Sequence, residues 1–140
     1  MKTPYELAYR YVIPYIQRKL VLSLRGRGLS NTEIARRLGI TPSAVTRYLK
    51  GERGAAIDLS NFGDIKEMIE ALAEKITKGT ASTYEVLAAT TAITAYALSR
   101  KYLCNYHALI DEEVDPHKCG VCPQVLAPAA SLAHELLNKP

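Results

Sequence analysis

Between residues 5 and 24 the apolar positions Tyr5, Tyr9, Val12, Ile13, Ile16, Leu20 and Leu24 recur at spacings dominated by three and four, the stripe of a helix with one buried side. Pro14 interrupts that stripe, and its missing N–H predicts a helix that begins at its own first turn, after a kink or short break. Two short apolar sets follow, Ile34/Ala35/Leu38 and Val45/Tyr48/Leu49, separated by Gly39. From Asp58 a third set steps by three and four through Leu59, Phe62, Ile65, Ile69, Leu72 and Ile76, either closing the same core or helping a dimer interface. Residues 83–109 read as one long helix that apolar and small residues nearly encircle, so its neighbours are expected to include a second subunit. A last helix is expected over residues 123–138, with Pro128 inside it predicting a kink or early end. The fold class is all-α.

The two short sets carry the strongest local signals. Ser30 and Glu33 form an S-x-x-E capping box, which starts a helix near Asn31. Gly39 ends it by adopting a left-handed conformation cheaply. Thr41 then caps a second helix whose first position is Pro42, and Gly51 ends that one. Two short helices joined by a tight glycine turn make a helix-turn-helix. Its second helix is left with an outward face of Ser43, Ala44, Thr46, Arg47 and Lys50. Arginine grips guanine O6 and N7 with two hydrogen bonds, hydroxyls bond bases or phosphates, and an alanine methyl meets a thymine methyl. The plainer reading of that face is a solvated helical hairpin.

On these residues the segment 28–51 resembles the helix-turn-helix of Cro/C1-type (XRE-type) repressors, which implies a lambda-repressor-like DNA-binding domain. The whole chain resembles predicted archaeal transcriptional regulators that join such a domain to a helical, cysteine-bearing C-terminal part. In that family the position of Asn31 is usually a glutamine that bonds a phosphate, so the resemblance implies a phosphate contact of shorter reach. Pro42 stands where many members place a base-reading glutamine, which shifts the expected base contacts to Ser43, Thr46 and Arg47.

Charge sharpens this picture. Residues 1–54 hold eleven Lys/Arg against three Asp/Glu, a net of +8; residues 55–140 hold seven against eleven, a net of −4. A basic front half joined to an acidic rear half suits a phosphate-facing domain with an appended non-DNA part. Arg25 and Arg27, in the loop entering the motif, are candidates for backbone phosphates, and Arg53 lies just past its end. Thr32, Thr41, Pro42 and Lys50 complete the set expected at DNA. Tyr5, Tyr9, Tyr11 and Tyr15 crowd the N-terminal segment, where packing is a commoner role than base stacking. No apolar run reaches the length of a membrane span and no signal-peptide core opens the chain, so a cytoplasmic protein without a membrane partner is expected.

Three cysteines raise a second chemistry. Cys104-x2-His107 is followed after eleven residues by Cys119-x2-Cys122, paired ligands of the kind that surround zinc or, with thiolates, an iron–sulfur cluster. His117 is a rival fourth ligand. The same residues also read as a thiol switch, or as a core cysteine beside an inert loop pair. The acidic run Asp111, Glu112, Glu113 and Asp115 reads as a solvated loop, and no nucleophile–base arrangement or phosphate-cradling glycine loop appears, so no enzyme is expected.

The sequence thus predicts a DNA-binding domain over residues 1–55 and a helical dimerisation and sensor region over residues 56–140. Its expected function is a regulator that binds double-stranded DNA at a palindrome as a homodimer, with any small-molecule or redox effector unidentified. Two alternatives stand beside it: a metal- or redox-sensing switch with DNA binding as output, and a non-regulatory antitoxin-like or nucleoid module.

Overall fold

The computed structural model describes residues 1–138, and every regular element among them is helical. The first helical run joins α1 (Pro4–Leu7) through a π-helical turn (Ala8–Val12) to α2 (Ile13–Gly26). Pro14 sits in the first turn of α2, but the backbone stays in the right-handed helical region through Leu7, Val12 and Ile13, so in place of the expected new start the run continues through a widened π-helical turn. Next come α3 (Asn31–Leu38), α4 (Pro42–Leu49) and α5 (Gly63–Thr77), then α6 (Thr83–Ser99), α7 (Cys104–Ile110) and α8 (Val121–Leu137).

One apolar cluster joins all the long helices. Ile16, Leu20 and Leu24 of α2 meet Ile34 of α3, Val45 of α4 and the Ile65/Ile69/Leu72/Ile76 stripe of α5, all essentially without solvent exposure. Burying a side chain of that size contributes roughly 1.5–3 kcal/mol, so this cluster is what holds the short α3 and α4 in place. Leu59 is buried too, but α5 starts only at Gly63, and the residues before it form the turn that brings the chain back to α2.

α6 lies along α8, with Ala89, Ala92 and Ala97 on the first and Ala130 and Ala133 on the second buried in the shared core. Small side chains let the two helices approach closely. Much of the apolar surface of α6 is therefore covered within one chain by α8, α5 and α2; Tyr84 and Leu87, near its start, remain exposed.

Two further expectations are corrected here. The helix predicted over residues 83–109 is divided: α6 stops at Ser99, Lys101 takes a left-handed φ of 65°, and α7 starts anew at Cys104. Lys101 Nζ donates to the Pro116 carbonyl at 2.9 Å, which ties the following loop to that break. Pro128, by contrast, does not end α8. It lies on the exposed side of the helix, and the residue one turn earlier, whose carbonyl loses its N–H partner, is the exposed Gln124.

Candidate nucleic-acid interface

The chain builds α3 and α4 with the caps that the sequence carries. Ser30 Oγ accepts the Glu33 N–H at 3.2 Å, and Thr41 Oγ1 accepts the Ala44 N–H at 3.0 Å. The capping box is used in a modified way, because the Glu33 carboxylate goes to Arg36 (2.6 Å) and Arg37 (3.0 Å) on its own helix. Those contacts hold its carboxyl below the usual range, the Arg36 hydrogen bond foremost. Arg37 also donates to the Ile76 carbonyl, which joins α3 to the end of α5. Gly39, at φ 68°, makes the turn, and the Ile40 N–H closes it on the Ala35 carbonyl at 3.0 Å.

The inner side of α4 is fixed firmly. Val45 and Tyr48 are buried, and the Tyr48 hydroxyl hydrogen-bonds Gln17 Oε1 at 2.5 Å. Arg18 Nε donates to the Tyr48 carbonyl at 3.3 Å, beside the Gly51 N–H that the same oxygen accepts at 3.1 Å, so α2 is tied to the last turn of α4. Gln17 and Arg18 are positioning residues that the sequence pattern did not single out. Their only signal was a polar pair on the edge of the α2 stripe.

The outer side matches expectation with one correction. Ser43, Arg47 and Lys50 are exposed at spacings of four and three, one face of the helix, and Thr46 beside them is half-buried with its hydroxyl donated to the Pro42 carbonyl at 3.2 Å. Thr41 and Pro42 are exposed at the start of that helix. Ala44 belongs to the other side. At 8 % exposure it packs into the core, because its position three residues after Thr41 and one before Val45 turns it toward α2 and α3, and it offers no methyl to a base.

Around this face, Arg25 Nη1 donates to Asn31 Oδ1 at 2.5 Å, so two side chains expected at phosphates are already brought together. Thr32 is exposed beside them, and Arg53 is exposed close to Tyr48. Arg27 is differently placed, with its guanidinium 3.0 Å from Glu70 Oε2 of α5 and its Nε bonded to Ser23 Oγ at 3.3 Å. A phosphate would have to compete with that carboxylate.

The expected metal ligands converge, but not into a cage. Cys104, His107, Cys119 and Cys122 all line one cavity, whereas His117 is exposed in the loop. Among the described residues no three His, Cys, Asp or Glu side chains are grouped so as to hold a metal ion. Burial pushes the Cys104 thiol up and the Cys122 thiol to about 11, which keeps both protonated at neutral pH. These residues as they stand do not fit zinc or an iron–sulfur cluster.

An all-α bundle with two capped short helices, a left-handed glycine turn and an exposed Ser/Thr/Arg/Lys face defines the helix-turn-helix class. Residues 23–61 match the helix-turn-helix family model, a match that runs from the end of α2 to the turn before α5. This segment is a helix-turn-helix of the Cro/C1 (XRE) type, a DNA-binding regulatory domain. No curated protein and no solved structure matches the chain. No described helix is long and apolar enough to cross a membrane.

Proposed function

We propose that the protein is a cytoplasmic, sequence-specific transcriptional regulator that grips a palindromic operator as a homodimer. The observation that carries this reading is the two-sided construction of α4: Ala44, Val45 and Tyr48 lock one side into the core while Ser43, Arg47 and Lys50 stand free on the other. Such a helix enters a major groove as a rigid rod. Ser43, Thr46 and Arg47 contact base edges. Asn31, Thr32, Arg25, Arg27, Lys50 and Arg53 contact phosphates, and Thr41 and Pro42 meet the backbone at the start of α4.

In this reading residues 1–55 engage DNA and residues 56–140 pair the subunits. One recognition helix reads too few base pairs to select a site, whereas two helices one helical turn apart, about 34–36 Å, read both halves of a palindrome. The exposed apolar residues Val121, Val125 and Leu132 of α8, on one side with Pro128, supply a surface for such pairing.

Sequencing genomic fragments retained by the purified full chain, together with its sedimentation at the same concentration, tests the proposal. A two-subunit species and a shared motif with two inverted half-sites about 10 base pairs apart, centre to centre, are expected. Fragments without a common motif would identify a non-discriminating nucleoid-type binder instead. A monomer on an unrepeated site would end the palindrome reading.

A further inference from the structure

Between the N-terminal helical run and the segment that follows α4 lies an open groove of about 900 Å³. It begins where α4 ends, since Tyr48 in the last turn of that helix and Gly51 just beyond it both line it. Arg53 stands on its wall beside the Tyr48 hydroxyl, and Tyr9 and Arg10 of the π-helical turn line it as well. Tyr9 is 78 % exposed, and Arg10 is exposed beside it. Both lie ahead of the helix-turn-helix segment, on the widened turn that leads into α2.

The groove is rich in donors that the chain leaves unused. Among the described residues no hydrogen bond or ion pair engages the Arg10 side chain, and no acceptor meets the backbone N–H groups of Arg53, Gly54, Ala55 and Ala56. Glu52 is the one carboxylate among the lining residues, against the two guanidinium groups of Arg10 and Arg53. Free cations and N–H groups side by side suit an anion, and the anion that borders a helix lying in a major groove is the sugar–phosphate backbone. We propose that this groove receives the DNA backbone bordering the half-site read by α4, with Arg10 at a phosphate. A lone anion is the poorer occupant, because an open groove gives it little shelter from water, whereas a duplex gathers several weak contacts along one surface. The inference rests on the DNA-binding reading of α4 and extends the contact to a residue outside the helix-turn-helix.

The test compares the full chain with its Arg10→Gln and Arg10→Lys variants on the genomic fragment best retained by the wild type and on a random duplex, over a series of salt concentrations. No described hydrogen bond or ion pair of the fold uses the Arg10 side chain, so both variants should melt as the wild type does. Arg10→Gln is expected to weaken both duplexes alike, about 3- to 10-fold near about 0.1 M salt, and to flatten the slope of log K against log salt by about 0.9, the share of one phosphate. Arg10→Lys should keep the wild-type slope, because a phosphate responds to the charge and lysine retains it. Ethylation of one backbone phosphate should hinder the wild type and make no difference to Arg10→Gln. An unchanged slope in Arg10→Gln, or an Arg10→Lys slope as flat as that of Arg10→Gln, overturns the contact; if the wild type still selects its fragment, the reading of α4 stands without it. A loss confined to the selected fragment overturns it in favour of base reading by Arg10. A wild-type chain that retains no duplex overturns both.

Discussion

The Tyr96 hydroxyl donates to Asp64 Oδ2 at 2.7 Å, and the Tyr102 hydroxyl reaches the same oxygen at 2.6 Å. One carboxylate in the first turn of α5 thus holds both sides of the break between α6 and α7. Phe62 stacks on the Tyr102 ring with centroids 3.8 Å apart, which covers the contact. Desolvation alone would raise the Asp64 carboxyl, but the hydrogen bonds from Tyr102, Tyr96 and the Ile65 N–H outweigh it and the net shift is downward. The Asp64 hydrogen bond pushes Tyr96 up to about 12.

Stability should follow both groups. A raised tyrosine contributes fully below its ordinary value near 10 and loses that contribution as pH climbs toward 12; a lowered carboxyl loses its share as pH falls below the ordinary 3.8. Tyr96→Phe is expected to cost about 1–2 kcal/mol at pH 7 by urea denaturation. The gap between variant and wild type should narrow between pH 10 and 12. A gap that stays constant through that range would show that the hydroxyl does not bond a charged carboxylate.

Gly54 allows the segment after α4 to lie on α2. Its φ is +76°, and a Cβ there would stand 2.3 Å from the Pro14 carbonyl oxygen and 2.7 Å from Arg18 Cβ. Gly54→Ala combines a left-handed penalty of about 1–2 kcal/mol with overpacking of about 1–3 kcal/mol. A thermal melt should show clear destabilisation, and because Arg18 supports the end of α4, DNA binding should weaken with it. An unchanged melting temperature would mean that this segment does not rest on α2.

Arg27 and Glu70 form an ion pair that DNA must share or break. Glu70→Gln frees the guanidinium. Fragment affinity is expected to rise at low salt, and the slope of log K against log salt should steepen by about 0.9, the share of one added phosphate contact. An identical slope in the variant would remove Arg27 from the phosphate contacts.

Much of the motif was readable from the chain because local chemistry decides it. Ser30, Gly39, Thr41 and Pro42 each act within a few residues of themselves, and the structure uses each as its type predicts. Longer-range features were hidden. Ala44 lies on the border between the two faces of α4, and only the placement of α2 and α3 decides its side. The division of the predicted helix at Lys101 depends on Tyr102 reaching back to Asp64, a contact 38 residues distant that no periodicity encodes. The residues of the two spaced pairs, Cys104/His107 and Cys119/Cys122, line one cavity without forming a ligand group among the described residues. Whether convergent thiols become ligands depends on their solvation, and spacing carries no information about that.

The central claim, that the free face of α4 reads bases, is tested most directly with Arg47→Ala. Its side chain is exposed and no described hydrogen bond or ion pair uses it, so the variant should melt as the wild type does. Affinity for the fragment best retained by the wild-type chain should fall by about 1–3 kcal/mol, and affinity for a random duplex by less, both measured at one salt concentration. Equal losses on both duplexes, or none on either, would contradict base reading by this helix.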